Sequence, residues 1–183
     1  PNLVLTAGHC IENESVCQDT SFIFGFQMNS ATQAVTTFPA QNIVHCKKIV
    51  SREEDSYGAD YAVVEIDRPV TNIPSLKLSD NTNLKVGDPV VVIGHPSGLP
   101  VKVSAGANVR SIEDSDIGYF VANLDTYGGN SGSAFFNSKT GEVEGVLVRG
   151  ENDFVSNGSC RISNVCKNDA CRGEDVTKAS FIT

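Results

Sequence analysis

Apolar and polar residues follow one another in short runs along this chain, and most runs close on glycine, proline, asparagine or aspartate. That pattern describes β-strands joined by tight turns rather than amphipathic helices. The first run, Leu3 to Ala7, ends at Gly8, His9 and Cys10, so His9 stands where a strand gives way to a loop. In SFIFGFQ the residues Phe22, Phe24 and Phe26 fall on one face of an extended segment, which predicts a stripe turned toward a core. NIVHCKKIV and DYAVVEI predict two further strands, the second headed by Asp60. Between them SREEDSYGAD, acidic and interrupted by Gly58, has the composition of a solvated loop. Arg68 to Asp88 is rich in proline and small polar residues and predicts a crossing linker. A second set of strands follows in PVVVIGHP, VKVSAGANVRSI, YFVANLD, SGSAFFN and EVEGVLVRG, as expected of a barrel or sandwich.

Composition narrows the function classes. The chain has 183 residues, of which 40% are hydrophobic and 20% charged, enough to build a core, and no apolar run approaches a membrane span. A formal net charge of −8, with lysines and arginines scattered, excludes a nucleic-acid surface, which needs a concentrated basic patch. An acidic surface attracts cationic ligands instead. The six cysteines fall as Cys10, Cys17 and Cys46 in the first half and Cys160, Cys166 and Cys171 in the second. They form no paired zinc knuckles, so disulfides and an oxidising compartment are the better reading, with an odd thiol in each half unless one bridge crosses. The opening PNLVLTAGHC shows no basic leader, as expected of a processed start or a fragment.

Chemistry concentrates in DTYGGNSGSAFF, at residues 125 to 136. Glycines around Ser131 suit a tight turn, and they equally suit a nucleophile beside converging backbone N–H groups. A serine hydroxyl needs a base to take its proton and a carboxylate to orient that base. The chain supplies His9 and Asp60 from its first half and Ser131 from its second, so a site using all three would lie in the crevice between halves.

LTAGHC at residues 5–10, DYAVVEID at 60–67 and GGNSGS at 128–133 together resemble the three signatures of the trypsin-like, chymotrypsin-fold serine peptidases, especially bacterial members that include the glutamyl endopeptidases. The resemblance implies an all-β fold of two six-stranded-type antiparallel β-barrels with the active site in the cleft between them, the first barrel lacking its N-terminal strand or strands. It implies a first barrel over residues 1–68, a linker over 69–88 and a second barrel over 89–183. Ser131 would attack the peptide carbonyl, His9 would shuttle the proton, and Asp60 would hold His9. The N–H groups of Gly129 and Ser131 would form the oxyanion hole, with no metal or organic cofactor. Asn130 stands where digestive relatives carry an aspartate that receives a freed amino terminus, so no such ion pair is expected here.

The same resemblance places Asp125 at the base of a specificity pocket, with Thr126, Val148, Arg149 and Gly150 around it, and this predicts a preference for Arg or Lys before the scissile bond. Glutamate specificity is the alternative, and Arg149 could serve it or could pair with Asp125. A protease homologue that binds protein without cleaving it, and an esterase, are further alternatives. The expected partner is a polypeptide substrate, the expected state a monomer, and the expected location secreted or periplasmic. His45 and His95 read as structural, and the tail SCRISNVCKNDACRGEDVTKAS, residues 159–180, carries no mechanistic motif and reads as a disulfide-fixed loop beside the pocket.

Overall fold

A computed structural model describes residues 2–112, 117–124, 126–167 and 170–182. Along the chain run β1 (Leu3–Thr6), a short helix α1 (Glu14–Gln18), β2 (Ser21–Ile23), β3 (Met28–Ser30), β4 (Gln33–Ala34), β5 (Ile43–Glu54) and β6 (Asp60–Ile66). These are followed by β7 (Pro89–Gly94), β8 (Lys102–Ile112), β9 (Tyr119–Ala122), β10 (Ala134–Asn137), β11 (Val143–Arg149), β12 (Phe154–Asn157), β13 (Cys160–Ser163) and β14 (Glu174–Lys178).

The second lobe closes on itself in the order β10-β11-β14-β9-β8-β7, an antiparallel barrel of six strands. Closure leaves no edge to protect, and the interior is filled by Val90, Val92, Val109, Phe120, Phe135, Leu147 and Val176. Phe120 and Phe135 meet there edge to face, with ring centres 5.4 Å apart. The first lobe is a sheet of four strands in the order β1-β6-β5-β2, curled but not closed, with the hairpin β3-β4 beside it. Its core gathers Ile11, Cys17, Cys46, Ala62 and Val64 around the Cys17–Cys46 disulfide. Phe22 and Phe24 are half-buried against Val44, Ile66 and Val70. Phe26 leaves that row and stacks on His95.

Three sequence expectations change. Ser51 to Glu54 is strand rather than loop: β5 runs on through them, with Glu53 opposite Tyr61 and Glu54 opposite Asp60. The backbone pairs while the glutamate side chains stay in water, so acidic composition alone misled the reading. Only the residues between Glu54 and Asp60 form the turn, closed by an Asp55 N–H bond to the Ala59 carbonyl. The second change is α1, whose start is capped by Asn13 accepting the Val16 N–H at 3.0 Å. The third is the tail, which holds β13, paired with β12 just ahead of it, and the barrel strand β14 as well as the Cys166–Cys171 disulfide. Cys10 and Cys160 are free, one in each half.

Candidate active site

The site begins with how tightly the His9 segment is held. Gly8 lies so close to β5 that a Cβ there would sit 2.1 Å from the Glu53 carbonyl oxygen, which leaves room only for glycine. The short turn that follows presents His9 to Asp60 at the head of β6. Asp60 Oδ2 lies 2.6 Å from His9 Nδ1, and Oδ1 accepts the His9 backbone N–H at 3.1 Å. With Asp60 ionised, the ring proton belongs on Nδ1, so Nε2 is left as a proton acceptor. Asp60 is only 3% exposed, whereas His9 is half-buried and reachable from the cleft.

A residue from the far barrel supports Asp60. Thr177 on β14, fully buried, accepts the Asp60 N–H at 3.0 Å and donates to the Asp60 carbonyl at 2.9 Å. The two lobes therefore share a hydroxyl bridge directly behind the carboxylate.

Ser131 lies on the loop before β10. Gly129 and Gly132 on either side have φ of +84° and +87°, the left-handed region that glycine takes without strain. The loop is fastened at several points. Gly128 donates to Asp153 Oδ2 at 2.6 Å and accepts from Ser97 N at 2.8 Å, and Gly132 donates to the Leu147 carbonyl at 2.8 Å. Asn130, 3% exposed, donates through its amide to Thr126 Oγ1 and accepts from Ser133 Oγ at 2.8 Å. Among the described residues, the N–H groups of Gly129, Asn130 and Ser131 have no hydrogen-bond partner while those of Gly128, Gly132 and Ser133 do. Three adjacent unclaimed donors on a rigid loop can stabilise an oxyanion.

The loop meets the first lobe at Gly132, where a Cβ would fall 2.3 Å from Thr6 Oγ1 and 3.3 Å from Ala7 N, just ahead of Gly8 and His9. The described hydrogen bonds join His9 to Asp60; none joins Ser131 to His9. His95 and His45 stand apart from this junction, His95 bonded through Nδ1 to the Leu99 carbonyl and His45 to Ser21.

A pocket of about 90 Å³ opens beside Ser131 and is lined by Val148, Arg149, Gly150, Glu151, Asp153 and Glu174 among others. Thr126 lines a second hollow of about 170 Å³, which shares Glu151, Asp153 and Glu174 with the first and is walled by Cys166 and Cys171. Asp125 lies outside the described residues. The Arg149 guanidinium is already engaged: it bonds Asp175 at 3.2 Å, the Asp55 carbonyl at 2.7 Å and the Gly58 carbonyl at 2.6 Å. It ties the barrel to the β5-β6 turn, and its partner is Asp175. Sequence reasoning missed Asp153, Asp175, Thr177 and Glu174. Burial and the neighbouring carboxylates of Asp153 and Asp175 push the Glu174 carboxyl up to about 8. No described helix is long and apolar enough to cross a membrane. Glu151, Cys166 and Cys171 bring their ligand-type atoms within 4.8 Å of one another, but both sulfurs are spent in the disulfide.

The chain is 32% identical over 133 residues to the periplasmic serine endoprotease DegP of Salmonella typhimurium, covering 66% of this chain and 26% of the relative. It is 36% identical over 91 residues to a probable periplasmic serine endoprotease, DegP-like, of Pseudomonas putida, covering 48% and 18%. The chain thus spans roughly a quarter or less of the length of these relatives. Among solved structures, a Glu endopeptidase in complex with MPD superposes with a TM-score of 0.65 at 20% identity, covering 98% of this chain and 76% of the other. A serine endoprotease from Yersinia pestis gives 0.56 at 20% identity, covering 98% and 50%. A family described as the trypsin-like peptidase domain matches residues 1–146, which include the His9–Asp60 pair and the Ser131 loop, and the chain belongs to that family.

Proposed function

We propose that the chain is a serine endopeptidase that works through an acyl-enzyme on Ser131. The observation that supports this reading is the His9–Asp60 pair, 2.6 Å from Nδ1 to Oδ2 with Asp60 buried, in the lobe that Gly132 of the Ser131 loop meets at Thr6 and Ala7. In this reading His9 Nε2 takes the Ser131 proton as Oγ attacks the peptide carbonyl. The developing oxyanion is held by the N–H groups of Gly129 and Ser131, each donor contributing about 10² to 10³ in rate. His9 then gives the proton to the leaving amine, and water repeats the sequence to release the acid, while Asp60 holds the imidazole and stabilises its charged form. The residues 1–68 and 89–183 supply the two sides of the cleft, joined by 69–88.

The substrate is a polypeptide, cleaved with a preference for Arg or Lys before the scissile bond. The pocket lining carries three carboxyl groups, Glu151, Asp153 and Glu174, against one cation, Arg149, and Arg149 is committed to Asp175 and two carbonyls. The names of the periplasmic relatives and the Cys17–Cys46 and Cys166–Cys171 disulfides support an exported protein. Asn130 supports activity without a freed terminus, since its amide is satisfied by Thr126 and Ser133.

A fluorophosphonate probe tests the reading. Labelling at Ser131 that disappears in Ser131→Ala is expected; labelling on another residue, or none in a folded chain that cleaves no peptide, would overturn it.

A further inference from the structure

The pocket beside Ser131 is asymmetric in charge. Glu174 opens β14, where Gly173 precedes it and Ala122 of β9 lies opposite. It is 9% exposed, and it lines both hollows next to the nucleophile loop. Its carboxyl rests against the pocket wall so closely that a Cβ on Gly150 would come 1.9 Å from Oε2. That wall position is open to it only because residue 150 is glycine. None of the described ion pairs involves Glu174.

The surrounding charged groups do not neutralise it. From the loop after β11 come Asp153, bound to the Gly128 N–H, and the exposed Glu151. On β11 Arg149 is spent on Asp175 and two carbonyls, and beside Glu174 itself Arg172 holds Asp175 through both carboxylate oxygens. On β8 Arg110 donates to the carbonyls of Cys171 and Arg172. Lys167 lines the outer hollow and is exposed. β9 contributes no charged side chain opposite Glu174.

We propose that Glu174 is the residue that reads the substrate side chain: its carboxylate, backed by Asp153, receives the guanidinium or ammonium of an Arg or Lys placed before the scissile bond. This rests on the reading of Ser131 as nucleophile for its catalytic consequence, but the binding claim stands on the pocket alone. A buried carboxyl whose neighbouring cation, Arg172, is committed to Asp175 is costly to ionise, and an arriving cation supplies what the fold withholds. A charge-assisted pair formed away from water is also far stronger than one at the surface. Cation binding and Glu174 ionisation are therefore coupled, each favouring the other.

Two measurements test this separately from catalysis. Calorimetry with benzamidine, a rigid amidinium, on the Ser131→Ala chain should show saturable binding that benzamide, its neutral counterpart, does not share. Adding Glu174→Gln should weaken benzamidine at least about 30-fold, the scale for removing one partner of a shielded charge pair. In the chain with Glu174 intact, affinity should climb by up to about tenfold per pH unit and level off above about 8, which requires no substitution at the pocket. Equal binding with and without the carboxyl, equal binding of the two ligands, or affinity flat from pH 6 to 9 would overturn the proposal. Peptide turnover reads the other half: if Ser131 fails to label while benzamidine binds as described, the nucleophile assignment falls and the cation site stands. If Ser131 labels and Glu174→Gln keeps its full preference for Arg and Lys, the specificity assignment falls alone.

Discussion

Replacing Thr177 by valine isolates the bridge that joins the two lobes behind Asp60. Valine matches threonine in shape and exchanges one hydroxyl for a methyl group, so no cavity opens and β14 keeps its pairing with β9 and β11. What is lost is a hydroxyl that accepts the Asp60 N–H at 3.0 Å and donates to the Asp60 carbonyl at 2.9 Å. Thr177 is 0% exposed and Asp60 3%, so water cannot replace either bond. A buried donor or acceptor left without a partner costs about 1–3 kcal/mol, and with both ends of the Asp60 peptide affected the loss should be about 2–4 kcal/mol.

Urea denaturation of the two chains measures that difference. Thr177→Ser separates the hydroxyl from the methyl: it keeps both hydrogen bonds, gives up one buried methyl, and should cost only about 1 kcal/mol. Because Asp60 also holds His9, turnover should fall in the valine variant beyond what unfolding explains, and recover in the serine variant. A Thr177→Val chain within about 0.5 kcal/mol of the parent, or a serine variant less stable than the valine one, would refute the bridge as a determinant of stability.

Asn130→Asp should destabilise the chain by about 3 kcal/mol near neutral pH, since a carboxylate would be buried against Thr126 Oγ1 with no cation to pair it; thermal denaturation should show the gap narrowing in acid, and equal melting at both pH values would contradict it. Glu174 predicts a pH dependence of the whole fold. Its carboxyl is raised in the folded chain from an ordinary 4.5 to about 8, so its contribution to stability is fully present below 4.5 and is lost as pH rises through about 8. The loss should total about 2–4 kcal/mol after allowing for water at the outer edge of the carboxyl. Glu174→Gln should remove that slope, and an unchanged slope in the variant would place its origin elsewhere.

How far the sequence reaches depends on which residues announce themselves. His9, Asp60 and Ser131 are legible because each sits in a short motif whose glycines or strand pattern expose it, and the barrel strands β7 to β11 are legible because valine, isoleucine and phenylalanine alternate with small polar residues. Ser51 to Glu54 misled because acidic side chains in water say nothing about a backbone that is paired. α1 was hidden by its length, five residues that carry no helical period. β14 was hidden for the opposite reason: it reads EDVTK, three charged residues in five, yet all five are buried.

That strand explains why the pocket could not be found from motifs. Alternate residues of a strand point to opposite faces. Val176 points into the barrel core, and Glu174, two residues earlier on the same face, reaches the barrel mouth beside the Ser131 loop. Asp175 and Thr177 occupy the other face, which meets the first lobe: one holds the Arg149 that ties down the β5-β6 turn, the other bridges to Asp60 at the far end of that turn. A strand buried on both faces normally reads as a continuous apolar run, because polar groups taken from water need partners. Here Thr177 finds its partner in the opposing lobe, at Asp60, and Asp175 finds Arg149 and Arg172 in its own barrel, while Glu174 lacks a cation of its own. Asp175, through Arg149, and Thr177 thus help hold the lobes together, and Glu174 is left facing the cleft with its charge suppressed, the condition in which a substrate cation gains most by entering.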